Sequence, residues 1–181
     1  MPELISESYR ELNKKLHKEN ETYGTSGARQ AEVVRKVCES LKTTDVLDYG
    51  CGKGMLAHVL NFPIKEYDPC VEGKDSKPEP ADFVVCSDVL EHIEIESLDA
   101  VLEDLNRLTK KMAYLVIHSG PASKVLADGR NAHLIQEDFP WWIKKLSKYF
   151  KVKNALEKRF SAVTSEIHIF VTPKRVYEPR A

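Results

Sequence analysis

Asp48 is followed by Tyr49-Gly50-Cys51-Gly52-Lys53-Gly54, set between the short apolar run Val46-Leu47 and a helix-like stretch from Met55 to Phe62. Glycines at such a turn let backbone N–H groups and a helix N-terminus approach a small ligand, because no Cβ stands in the way. The spacing is G-x-G-x-G behind an acid. It is not the dinucleotide spacing G-x-G-x-x-G, and no Gly-Lys-Ser/Thr makes it a Walker loop. Two further blocks carry polar groups just past apolar runs: Ile64-Lys65-Glu66-Tyr67-Asp68-Pro69, and Asp82-Phe83-Val84-Val85-Cys86-Ser87-Asp88-Val89-Leu90-Glu91-His92.

The elements that must position these residues follow from periodicity. Ile5, Tyr9, Leu12 and Leu16 predict an amphipathic helix over residues 4–19. Tyr23 to Gly27 reads equally as a lid or as an inter-helix turn, and Ser26 is a candidate cap for a helix on which Ala28, Ala31, Val34, Cys38 and Leu41 share a face. Strands are expected at 46–48, 64–68, 82–87, 112–117, 151–156 and 166–172. Leu98 to Leu108 makes a helix, and Asp138 is placed to cap another that starts at Pro140 and carries Trp141 and Trp142. The two tryptophans are read as anchors of that helix to the sheet. Strands alternating with helices predict an α/β fold: a doubly wound, mostly parallel sheet with helices on both faces, and the ligand at the strands' carboxyl ends.

Together the three blocks resemble the class I S-adenosylmethionine (SAM) dependent methyltransferases, within their compact Rossmann-like methyltransferase-domain family. The acid and glycines look like that family's motif I, which implies cofactor contacts from Asp48, Tyr49, Gly50, Cys51, Gly52 and Gly54. The resemblance makes Asp68 the acid for the ribose hydroxyls, since a carboxylate there can accept both protons. D-V-L-E-H in the third block is a familiar form of the turn after the fourth strand, which implies that Cys86, Ser87 and Asp88 border the methionine part of SAM and its methyl. Only thirteen residues separate Asp68 from Asp82. A shortened or missing third helix and strand is therefore expected, and the adenine contact is sought in Glu72 to Ala81 or at Ser87.

Related enzymes often carry a His before the penultimate helix, and the resemblance places His133 there. His133 and His92 are the candidate catalytic residues, with His118 a competitor, because imidazole titrates near neutrality and can take an acceptor's proton. A capping or core histidine is the alternative for each. Arg130 is a candidate for an anionic acceptor group or a plain surface arginine. No metal site is read: Glu91-His92 and Glu94 are explained by the fold.

The chain has 181 residues, 42% hydrophobic and 30% charged, which suits one globular unit. We divide it into N-terminal helices (1–43), a cofactor core (45–118) and an acceptor-side loop, helix and final strands (119–181). There is no apolar run of membrane-spanning length and no signal-peptide pattern at the start, so a cytoplasmic setting without membrane contact is expected. Cys38, Cys51, Cys70 and Cys86 form no C-x-x-C pair and read as buried free thiols.

Net charge is −1, but Pro140 to Ala181 holds ten Lys or Arg against three Glu, net +7. That segment reads as a solvated lysine face or as a surface for an anionic partner. The leading expectation is a methyltransferase that moves the SAM methyl to O or N of a small-molecule, sugar or nucleotide-like acceptor, leaving S-adenosylhomocysteine. The alternatives are an RNA methyltransferase using the basic quarter, and a non-catalytic SAM-binding regulatory or scaffold module. The oligomeric state is not legible.

Overall fold

The computed structural model describes residues 3–20 and 23–174. Arg175, Glu178 and Arg180, counted in the basic C-terminal quarter, lie outside the described residues.

Six strands form one sheet in the order β2-β1-β3-β4-β6-β5. They are β1 (Val46–Tyr49), β2 (Lys65–Tyr67), β3 (Ala81–Ser87), β4 (Thr109–Ser119), β5 (Phe150–Arg159) and β6 (Ser165–Pro173). The pairs β1–β2, β1–β3 and β3–β4 are parallel, while β4–β6 and β5–β6 are antiparallel. Parallel pairing brings the carboxyl ends of β1 to β4 to one edge, where Tyr49, Tyr67, Ser87 and Ser119 end their strands. The stretch between β2 and β3 contains neither helix nor strand. The expected loss of the third helix and strand is what the fold shows.

Alternation along the strands divides the core in two. On one face Leu47, Val84, Cys86, Leu115 and Ile169 pack against α4 (Leu98–Leu108) and α5 (Phe139–Leu146), through Val101, Leu102, Leu105 and Trp142. On the other, Val46, Phe83, Val85 and Tyr114 meet α2 (Ala31–Leu41) and α3 (Met55–Val59) through Val34 and Leu56. Each fully buried Leu contributes about 1.5–3 kcal/mol. Trp142 is completely buried, as the anchor reading requires. Asp138 caps α5 by accepting from Trp141 N–H at 3.0 Å.

A third cluster joins α1 (Glu7–Glu19) to the loop after β4, with Ile5, Tyr9, Leu126 and Ala132 at its centre. Ser6 caps α1 by accepting from Tyr9 N–H at 3.3 Å, which starts the helix three residues later than its apolar spacing implies. The first turn is pinned over the sheet edge: Ser6 Oγ–H and N–H both donate to Glu94, and Tyr9 O–H donates to His92 O at 2.6 Å.

Two local expectations are corrected. Ser26 does not cap α2. It opens a 3-10 turn (Ser26–Gln30) that runs straight into α2, and Gln30 at φ −90°, ψ −5° is already helical, leaving no extended cap position. Helix α3 stops at Val59 rather than Phe62, because Leu60 turns extended and Pro63 disfavours helix in the residue before it. The four cysteines are free and buried.

Candidate active site

A cavity of about 770 Å³ opens at the carboxyl edge of β1 to β4, roofed by α1 and by the Tyr23–Gly27 turn. The glycine turn forms one wall. Gly50 and Gly52 take φ 77° and 51°, the left-handed region that favours glycine. A Cβ on Gly50 would collide with Val89, and one on Gly52 would stand 2.7 Å from Gly24 O. Gly50 and Cys51 N–H both donate to Tyr67 O, tying the turn to the end of β2.

Asp68 braces the same turn. Its Oδ2 accepts from Gly52 N–H at 3.0 Å and its Oδ1 from Cys70 N–H at 2.8 Å. A carboxylate offers about four lone pairs, so each oxygen retains one for a ligand hydroxyl. Asp48 is buried behind the turn, and burial pushes its carboxyl up to about 7, reinforced by Glu66 and Asp68 and opposed by Lys74.

At the end of β3, Ser87 is buried with its hydroxyl unpartnered. Asp88 takes φ 54°, donates its N–H to Val116 O and receives a 2.9 Å ion pair from Arg29 at the cavity wall. A non-glycine residue held in this region is found preferentially at functional sites.

Opposite the glycine turn stand the histidines. His92 Nδ1 lies 2.8 Å from Ala132 O, and His133 Nδ1 lies 2.8 Å from Gly120 O. Their rings meet edge to face at 4.8 Å, and the His118 ring is 5.3 Å from His133. Burial, then the neighbouring His133, hold His92 down at about 4, against the Ala132 hydrogen bond. Burial also lowers His133, against its bond to Gly120 O. Both rings are therefore neutral at pH 7. Donation from Nδ1 leaves Nε2 as the nitrogen with the lone pair.

The cavity thus brings together most residues singled out in the sequence. Asp48, Tyr49, Gly50, Cys51, Gly52 and Asp68 line it from β1 and β2, Ser87 and Asp88 from β3, and His92, His118 and His133 from the acceptor side. Gly54 and Cys86 do not line it. Cys86 is fully buried in the core under α4, and Gly54 packs against Glu66 and Lys74. Of the stretches sought for adenine, Ser87 reaches the cavity and Glu72 to Ala81 does not. Arg130 pairs with Asp128 in its own loop and sits over the Tyr9 ring, outside the cavity lining. Neither Arg29 nor Tyr9, the latter read only as an apolar position of the first helix, belongs to a motif that marks it as a site residue.

A family model described as a methyltransferase domain matches residues 6–162. No curated protein matches. Among solved structures, a Burkholderia thailandensis 1,6-didemethyltoxoflavin N1-methyltransferase with bound 1,6-didemethyltoxoflavin and S-adenosylhomocysteine is similar at 14% identity. That likeness covers 97% of this chain and 93% of that one, with a TM-score of 0.67. The magnesium protoporphyrin IX methyltransferase of Synechocystis PCC 6803 with bound SAM is similar at 18% identity over 80% of this chain and 79% of that one, TM-score 0.52. At these identities the likeness is one of fold. The family model spans most of the chain, the three motif blocks meet at one cavity, and the chain belongs to the methyltransferase domain family.

Proposed function

We propose that this chain moves the methyl group of SAM to an oxygen or nitrogen of a small-molecule, sugar or nucleotide-like acceptor. SAM is the methyl donor and S-adenosylhomocysteine its product. The observation that carries the reading is the meeting of Asp48, the glycine turn, Asp68 and Ser87-Asp88 at one cavity that continues to His92 and His133. Asp68 would take the ribose hydroxyls with its remaining lone pairs, and the glycine turn would admit the cofactor's backbone contacts. The sulfonium supplies its own activation, so the protein's work is alignment and exclusion of water. His133 and His92 stand where an acceptor would enter, as neutral imidazoles able to take its proton.

The roof favours a small acceptor over a polymer. Leu4, Ile5, Tyr9 and Asn13 of the N-terminal segment line the cavity, which narrows the approach a folded RNA would need. Free buried thiols fit a reducing, cytoplasmic setting.

Calorimetric titration with SAM, S-adenosylhomocysteine and NAD tests the donor. Micromolar binding of the first two and none of NAD is expected, followed by a methyl-transfer screen of sugars, nucleotides and RNA. Absence of binding to both SAM ligands overturns the reading.

A further inference from the structure

The acceptor side of the cavity, and the core just behind it, hold groups that the glycine turn and Asp68 leave unused. One carboxylate oxygen of Glu91 and one ring nitrogen each of His92 and His133 lie within 4.8 Å of one another. Glu91 is fully buried. Its Oε1 accepts from His118 N–H at 2.8 Å, and its Oε2 has no hydrogen-bond partner. A buried carboxylate oxygen without a partner is costly and calls for a ligand.

The histidines are prepared in the matching way. Each spends Nδ1 on a main-chain carbonyl, Ala132 O for His92 and Gly120 O for His133. That contact fixes the tautomer and the ring, and leaves Nε2 to ligate, which is the outer bond that metal-binding histidines make. Ligands at ~2.0–2.2 Å from one ion lie roughly 3–4 Å apart, so the group must draw in by up to about 1–2 Å to close the shell. His92 and His133 both line the cavity, so a position away from the protein ligands faces the acceptor.

We propose that Glu91, His92 and His133 bind one divalent transition-metal ion of the zinc(II) kind, with its open position turned to the methyl acceptor. Two imidazoles and one carboxylate suit such an ion. Magnesium and calcium take oxygen ligands instead. The ion's role rests on the methyl-transfer reading above, but its binding does not. With the ion in place His92 and His133 would be its ligands instead of bases, and an acceptor hydroxyl held by the ion would release its proton to solvent. Its oxygen then bonds to the methyl carbon, the carbon–sulfur bond breaks, and that electron pair stays on the sulfur of S-adenosylhomocysteine.

The test is a titration of untagged, chelator-stripped chain with Co2+, read by visible d–d absorption and by competition with Zn2+. One equivalent of Co2+ should bind, and Zn2+ should displace it. Glu91→Gln and His133→Asn should each weaken binding by more than the ~10–100-fold that loss of an outer-shell partner costs. His58→Ala, on an exposed position of α3, should leave it unchanged. A folded wild-type chain without the absorption band overturns the proposal, as does a band that survives both substitutions. Glu91→Gln keeps the side chain's shape and carries the test if His133→Asn fails to fold. Co2+ binding needs no methyl donor. Its absence alongside normal SAM binding sinks the metal site alone, and its presence without SAM binding sinks the methyl-transfer reading alone.

Discussion

Gly24 and Gly52 touch backbone to backbone: the Gly24 carbonyl accepts from Lys53 N–H at 3.0 Å, and a Cβ on Gly52 would stand 2.8 Å from Gly24 Cα. The roof turn and the glycine turn are thus one packed unit. Neither contact is with a flexible side chain, so neither can give. Gly52→Ala should cost at least tenfold in SAM affinity, about 1.4 kcal/mol, by calorimetry. Unchanged affinity would detach the roof turn from the donor site.

Asp68 serves the fold as well as the ligand, since two main-chain N–H groups depend on it. Asp68→Ala leaves those buried donors unpaired, at about 1–3 kcal/mol each. The variant should melt at a lower temperature and bind SAM at least tenfold more weakly. A variant that melts lower yet binds normally would remove Asp68 from the ligand's contacts while keeping it as a brace.

Asp48 makes stability depend on pH in an unusual direction for a carboxylate. Its ordinary value is 3.8, and in the folded chain it is pushed up to about 7. Between those values the folded chain keeps a proton that the unfolded chain has released. The contribution is complete below about pH 4 and is lost as pH rises to about 7. Each pH unit in that window is worth about 1.4 kcal/mol. Asp48→Asn should flatten this slope and stabilise the ligand-free chain at pH 8 by up to ~4 kcal/mol. Denaturant unfolding at pH 5 and pH 8 checks it, and parallel slopes for the two proteins would refute it.

Two residues at the start of α1 tie the roof to the sheet edge. Tyr9→Phe removes the hydrogen bond to His92 O and should cost about 1 kcal/mol of stability. Ser6→Ala removes the cap of α1 and the hydroxyl's bond to Glu94, while the main-chain bond to Glu94 stays, at about 1–2 kcal/mol. By contrast Leu102→Ala, in the centre of α4, should cost about 2–5 kcal/mol with no selective effect on ligand affinity. Chemical unfolding curves separate the three.

The order of strands and helices was legible because the apolar positions repeat cleanly, as in Leu98 to Leu108 and Ile167 to Val171. The glycine block, Asp68 and the Asp88 turn were legible because each sits where a strand ends. The meeting of His92 with His133 was not. It depends on the loop after β4 folding back, so that Ala132 and Gly120 carbonyls seat two rings from distant parts of the chain. No local periodicity encodes that return. The Glu91 carboxylate was hidden as well, since its orphaned oxygen becomes visible only when His118 N–H of β4 is seen to satisfy the other. The polar opening of β4, Thr109-Lys110-Lys111, disguised the strand's true length, since of the three only Thr109 is in register with β3, opposite Ala81, before a register shift. Likewise α1 read as an amphipathic helix, yet nothing in its spacing told which cavity its apolar stripe would cover.

Both tryptophans of the chain stand side by side on α5, and neither lines the cavity. Their rings meet edge to face at 5.0 Å, with Trp142 sealed in the core. Intrinsic fluorescence is therefore a reporter of whether α5 is docked on the sheet, and a nearly blind one for what enters the cavity. Unfolding can be followed optically in the presence of saturating ligand without correcting for quenching at the site, so one optical channel separates stability from occupancy in every variant named above.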